Sequence, residues 1–227
     1  QSLQQPSLFD AYDAVFALRQ KLQRIDPQAV SRLAAQLAVD LPDPVHWVED
    51  FGQDSRIHKA RQAVVHGDLH GDNLFVDGEH AWVIDFERTG PSHSLRDFVE
   101  LELDLVTRLI GFSELDLPTF YRLALVLAEP SEPGGHFRLA AIVAENSIAY
   151  KAIQVIAGLR EIAHSMTHYV DQHEYVWGLL FNALYVASAR SFHPIQRERA
   201  LLFSAILCEK LRSWSAAWPP KDWLVNE

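Results

Sequence analysis

The sequence predicts a mainly α fold with one small antiparallel β-hairpin. Three observations lead there. Apolar residues recur at helical spacing on both sides of a short central stretch. Within that stretch, two apolar runs flank Asp77-Gly78, a strong turn signal for a hairpin. With 48% apolar and 22% charged residues, 227 residues suit one globular domain with a full core.

Each element follows in order. Residues 11–25 place Val15, Leu18, Leu22 and Ile25 at helical spacing, and residues 27–39 do the same with Val30, Leu33, Ala34 and Leu37. Leu41-Pro42-Asp43-Pro44 reads as a link, leading through Trp47 and Phe51 to a short helix near residues 55–62. Val64-Val65 reads as a strand before a polar loop. Leu74–Val76 should then pair antiparallel to residues 81–84, the only regular sheet expected. Residues 96–110 predict a helix with Phe98, Leu101, Leu105, Val106 and Leu109 on its apolar face. Residues 118–127 predict another, and residues 129–135 break the chain with proline and glycine. Residues 137–162 form a long apolar helix, expected to be central through Ala140, Ala141, Ala144, Ile148, Ile153 and Ile156. Helices over 175–189 and 194–214 complete the lobe, the last starting on proline, which a first turn tolerates. Trp214, Trp218 and Trp223 should pack back on the lobe or meet a part outside the chain.

Composition narrows the function. A net charge of −10 with the acids spread along the chain disfavours nucleic-acid and anionic-membrane binding, and is compatible with a cationic substrate. Cys208 is the sole cysteine, so no internal disulfide can form and a reducing cytoplasm is the expected compartment. Its expected role is that of a small buried apolar residue. No apolar run reaches membrane-spanning length, and no signal peptide is visible.

The chemistry concentrates in residues 64–86. Asp68 lies in the loop after the strand, Asn73 follows it, and Asp85 ends the second hairpin run. Folding the hairpin returns Asp85 to the level of Asn73. Phosphoryl transfer needs a carboxylate to orient and deprotonate an acceptor hydroxyl, and oxygen ligands to hold magnesium on the phosphates. Asp68 fits the first need, Asn73 and Asp85 the second. Asp72 adds an acid that is either a solvated loop residue or part of the metal site.

His66-Gly67-Asp68-Leu69-His70-Gly71-Asp72-Asn73 resembles the H-x-D-x-x-x-x-N loop of aminoglycoside phosphotransferases, choline kinases and their relatives. Ile84-Asp85-Phe86-Glu87 resembles the metal-binding segment that follows in that family, the counterpart of D-F-G in protein kinases. Arg96-Asp97-Phe98 stands where the family has an aspartate that buttresses the loop. The resemblance implies a kinase-like C-terminal lobe. Its expected site has Asp68 as base, His70 touching the transferring phosphate, Asn73 and Asp85 holding Mg²⁺ and ATP or GTP, and His66 and Asp97 as structural support. The expected acceptor is a hydroxyl of a small molecule. The layout is a helical leading segment at 1–63, loop and hairpin at 64–98, and a helical subdomain at 99–227.

The departures are as informative. Before His66 the chain has one glycine, Gly52, so no Gly-rich phosphate loop is possible, and Lys21 and Lys59 lie outside any strand. The nucleotide-gripping N-terminal lobe is expected in the same longer protein or in another chain; Gln1 in place of methionine points to an excerpt. A catalytically silent kinase-like scaffold is the alternative. A metallophosphoesterase is a weaker one: Gly67-Asp68-Leu69-His70-Gly71 fits its first segment, with His66, Asp68 and His70 as ligands, but its later segments are missing. His80 and His93 read as exposed loop histidines, and Glu87 with Arg88 as a surface pair or, from their position after Asp85-Phe86, as residues with a role near the phosphates.

Overall fold

Ser7 starts the first helix with a reciprocal cap. Its hydroxyl accepts the Asp10 N–H at 3.1 Å, and the Asp10 carboxylate accepts the Ser7 N–H at 3.4 Å. The computed structural model describes residues 7–55, 62–129, 147–167 and 172–214. The first expected helix is divided in two, α1 (Leu8–Phe16) and α2 (Leu18–Leu22), because Ala17 takes a left-handed conformation with φ 53°. Arg19 stabilises the break by pairing with Asp10 and Asp13. α3 (Ala29–Leu37) buries Val30, Leu33 and Leu37, as its spacing predicts.

Residues 41–43 form the expected link, but a helix follows at once, α4 (Pro44–Phe51), earlier than the one expected. Asp43 caps it by accepting the N–H groups of Val45 and His46, and Pro44 fills the first turn, where its missing N–H costs nothing. Of the helix expected near residues 55–62, residues 56–61 lie outside the described ones, and Gln62 opens a strand instead.

Among the described residues two antiparallel pairs are present, where one was expected. The hairpin joins β2 (Leu74–Val76) to β3 (Ala81–Val83) with Leu74 opposite Val83. The second pair joins β1 (Gln62–Val65) to β4 (Gly90–His93), which brings Val65 opposite Gly90. β4 reads Gly-Pro-Ser-His and has no alternating pattern, so pairing across a long loop, not local preference, makes it a strand. His93 is not an exposed loop histidine: it is buried and its Nε2 lies 2.9 Å from a Glu174 oxygen.

α5 (Arg96–Asp104) continues into one wide π-turn at Leu105–Leu109. Of the expected apolar face Val106 is buried and Phe98 and Leu105 are partly so, while Leu109 is exposed; Val99 and Leu103 complete the buried side. Buried Arg199 ties down the π-turn and the chain after it, donating to the carbonyls of Thr107, Ile110, Gly111 and Leu115.

α6 (Leu117–Ala128) is capped by Asp116. α7 (Ile148–Thr167), α8 (Gln172–Ser188) and α9 (Pro194–Arg212) follow. Residues 137–146 of the long helix expected as central lie outside the described ones. Its described part buries Ile153 and Ile156, as expected, and exposes Ile148, Val155, Ile162 and Met166 on its other side. The central pair is α8 and α9: residues 200–210 of α9 are buried on every side, Cys208 among them. Gly178 lets α8 approach α1 and α5, since a Cβ there would meet the Tyr12 hydroxyl at 2.9 Å and Val99 at 3.3 Å. A buried ion pair between Arg160 and Glu102 locks α7 to α5, with the Tyr175 hydroxyl donating to Glu102 at 2.6 Å. Trp214 does pack back, stacked on His173; Trp218 and Trp223 lie outside the described residues. Among the described residues no helix is long and apolar enough to cross a membrane.

Candidate active site

Three carboxylates on one face of α5 hold the loop between β1 and β2 by its backbone. Asp97 accepts the N–H of His66 at 2.7 Å and of Gly67 at 2.8 Å. Glu100 accepts that of Leu69 at 3.2 Å, and Asp104 that of Gly71 at 2.8 Å. Their spacing of three and four residues puts them on one helix face. Two arginines on the same helix hold these acids in place. Arg96 pairs with Glu100 and donates to the Gly67 carbonyl, and Arg108 grips Asp104 through two nitrogens. Burial pushes the Glu100 carboxyl above its usual range, against the pull of Arg96. Gly67 has φ 82°, and a Cβ there would press into the Arg88 carbonyl. The loop path therefore requires glycine.

Within this frame the candidate residues are brought together. The Asn73 amide donates from Nδ2 to the Asp68 carbonyl at 2.8 Å and lies 3.3 Å from Nε2 of His70. A carbonyl accepts only, so this fixes the amide orientation and directs Oδ1 elsewhere. Among the described residues Oδ1 has no hydrogen-bond partner. His70 then accepts at Nε2, which leaves its proton on Nδ1, 3.9 Å from Asp72. Across the hairpin, Ile84 donates its N–H to the Asn73 carbonyl at 3.1 Å, so Asp85 is the next residue beyond Asn73. Asp85 is exposed and left-handed, with φ 63°, a conformation aspartate tolerates better than most residues. His66 is buried, and its Nε2 meets the Ile84 carbonyl at 2.7 Å, linking the loop to the strand that carries Asp85.

The donor set of Asn73 Oδ1 and the Asp85 carboxylate suits magnesium, which takes one or two protein oxygens and completes its shell with phosphates and water. Among the described residues no three His, Cys, Asp or Glu side chains group as a metal site.

Two pairings depart from expectation. Arg88 does not pair with Glu87; its guanidinium bonds to Asp68 at 3.0 Å. Asp72 is held by Arg108 at 3.0 Å. Asp68 and His70 also line a cavity of about 340 Å³, walled on the far side by Asn182, Tyr185 and Phe192. Asn182 is buried, with its Nδ2 unpaired. Sequence reasoning missed Glu100, Asp104, Asn182 and Tyr185, and did not pair Arg88 with Asp68. The acids at 97, 100 and 104 were a readable signal, one face of one helix; the others come together only through tertiary packing.

Compared with known proteins, residues 28–191 match the family described as ternary complex associated domain 9. That span is well over half of the chain, and the chain belongs to this family. No curated protein and no solved structure matches it.

Proposed function

We propose that this chain is the acceptor-binding lobe of a phosphotransferase that moves the γ-phosphoryl group of ATP or GTP to a hydroxyl of a small molecule. The observation that carries this reading is the bonded path from Asp68, which lines the cavity, through Asn73 to Ile84, the residue before Asp85. Asp68 orients the acceptor hydroxyl and takes its proton at a carboxylate oxygen as the new O–P bond forms and the bond to the nucleotide breaks. Magnesium held by Asn73 and Asp85 would neutralise phosphate charge when bound. His70 faces the transferring group, while His66 and Asp97 keep the loop in place. The cavity volume suits an acceptor of modest size. Its carboxylates outnumber its cations, which favours a neutral or cationic acceptor over an anionic one.

The rest of the nucleotide grip is assigned to a lobe in the same longer protein or in another chain, because the described residues before β1 are helical. The exposed apolar hairpin residues Phe75, Trp82 and Phe86 offer a surface for the base or for that lobe. A cytoplasmic setting belongs to the same proposal.

The same exposed apolar row favours a second reading, a catalytically silent module that assembles with partners. The family description speaks of a ternary complex without identifying a partner. Equilibrium binding of ATP and GTP with magnesium, in the chain's full natural context, separates the two. The phosphotransferase reading expects saturable binding that Asn73→Ala and Asp85→Ala weaken. Absence of nucleotide binding in the wild type favours the assembly module.

A further inference from the structure

Lys21 and Arg88 meet at one ring beside Asp68. Lys21, on α2, holds its ammonium 4.1 Å from the centre of the Tyr185 ring. Arg88, in the turn after β3, pairs with Asp68 at 3.0 Å and lies close enough to the same tyrosine to act on its hydroxyl electrostatically. Tyr185 lines the cavity and stacks on Phe16 at 4.3 Å. Two cations thus flank one ring, Arg88 carries the single carboxylate of Asp68, and among the described residues no acid pairs with Lys21. The other cations around the loop are committed, Arg96 to Glu100 and Arg108 to Asp104 and Asp72. Burial, with Arg24 and Arg88 adding repulsion, pulls the Lys21 ammonium below the usual lysine range. Like charges held close and partly desolvated are relieved by an anion.

We propose that Lys21 and Arg88 form an anion seat that takes phosphoryl oxygens beside Asp68. The proposal rests on the phosphotransferase reading for the origin of the phosphate. A bare Asp68 would repel an incoming phosphoryl group. A guanidinium can bridge the carboxylate and a phosphate oxygen through separate N–H groups, and Lys21 adds a point charge. The ligand class is a phosphate ester or polyphosphate.

The test is calorimetric titration of the chain with tripolyphosphate and, separately, glucose 6-phosphate, without magnesium and at low salt. Saturable binding is expected, and Lys21→Gln and Arg88→Gln should each weaken it about ten-fold, the scale of one charge-assisted hydrogen bond. Arg122→Gln, at an exposed position of α6, should bind as wild type, and Asp68→Asn as wild type or tighter, because it releases Arg88. Thermal midpoints close to wild type establish that the variants fold. Preference for tripolyphosphate assigns the seat to the nucleotide's phosphates, and preference for the sugar phosphate to the phosphate ester that the transfer produces. The seat is overturned if wild type shows no saturable binding at millimolar ligand, if Lys21→Gln and Arg88→Gln bind unchanged, or if Arg122→Gln loses as much as they do. Polyphosphate binding without any phosphoryl transfer would remove the phosphotransferase reading and leave the seat. Transfer undiminished in both glutamine variants would do the reverse.

Discussion

The carboxylate of Asp97 accepts the backbone N–H of His66 at 2.7 Å across 31 residues of sequence. Its second oxygen takes the N–H of Gly67 at 2.8 Å. An ionised acceptor is stronger here than a neutral one. Glu100 and Asp104 extend the same device along the loop, so the shape of the loop is set by a helix face and not by the loop's own preferences.

Replacing Asp97 by asparagine keeps the volume, removes the charge and turns one acceptor into a donor facing another N–H. The expected loss is about 2 kcal/mol in chemical denaturation, the scale of a hydrogen bond to a charged group. Amide exchange should quicken at His66 and Gly67 ahead of the rest of the chain. Unchanged exchange at both positions would contradict the buttressing role.

Gly67→Ala should be more local but no milder. The backbone is left-handed there, and the new methyl would collide with the Arg88 carbonyl. The conformational penalty alone is about 1–2 kcal/mol. Thermal unfolding measures the total, and a stability equal to wild type would mean that the loop has another accessible path.

Much of this architecture was legible and some was not, for identifiable reasons. α3, α6, α8, α9 and the β2–β3 hairpin follow from apolar spacing and Asp77-Gly78 turn chemistry, signals that lie within each segment. Asp68, Asn73 and Asp85 were readable because loop and hairpin fix their order. β4 was not, since Gly90-Pro91-Ser92-His93 becomes a strand only by pairing with β1. The α4 start at Asp43-Pro44 was present as a cap followed by a first-turn proline, but the two prolines obscured it. His93 looked exposed because its partner, Glu174, lies 81 residues away. Arg88 lay next to Glu87 in sequence, yet the turn at Phe86–Arg88 delivers it to Asp68.

Arg199 anchors the chain after α5. Its guanidinium reaches the Ile110 carbonyl at 2.6 Å and three further carbonyls at 3.3–3.4 Å. Arg199→Met preserves most of the buried stem and leaves those acceptors unpaired. A loss of about 2–4 kcal/mol is expected in urea unfolding, from several buried acceptors losing a shared donor. A loss below about 1 kcal/mol would show that solvent reaches these carbonyls.

Acid should loosen the first helix through Asp10. Arg19, with help from Ser7 and Gln53, lowers its carboxyl from 3.8 to about 2. A depressed carboxyl contributes stability that is present above the unfolded value and is lost as pH falls through the folded one. Wild type should therefore lose this contribution between about pH 4 and about pH 2. Asp10→Asn should be less stable at neutral pH and show a shallower acid limb over that window. Parallel acid limbs for the two proteins would contradict the assignment.

The central claim is that Asp68 is the base of a phosphoryl transfer supported by Asn73 and Asp85. It is tested most directly by measuring transfer of labelled phosphate from ATP or GTP, with magnesium, to a panel of hydroxylated amines, sugars and nucleosides. Wild type, Asp68→Asn, Asp85→Ala and the double variant are compared in the full natural context under conditions where chemistry limits the rate. The account predicts transfer by wild type and a loss of about 10²–10⁴-fold in Asp68→Asn, the range of a general base. Asp85→Ala should lose at least as much, and the double variant little more than the worse single one, since both act on one assembled site. Transfer by Asp68→Asn as fast as by wild type would contradict it.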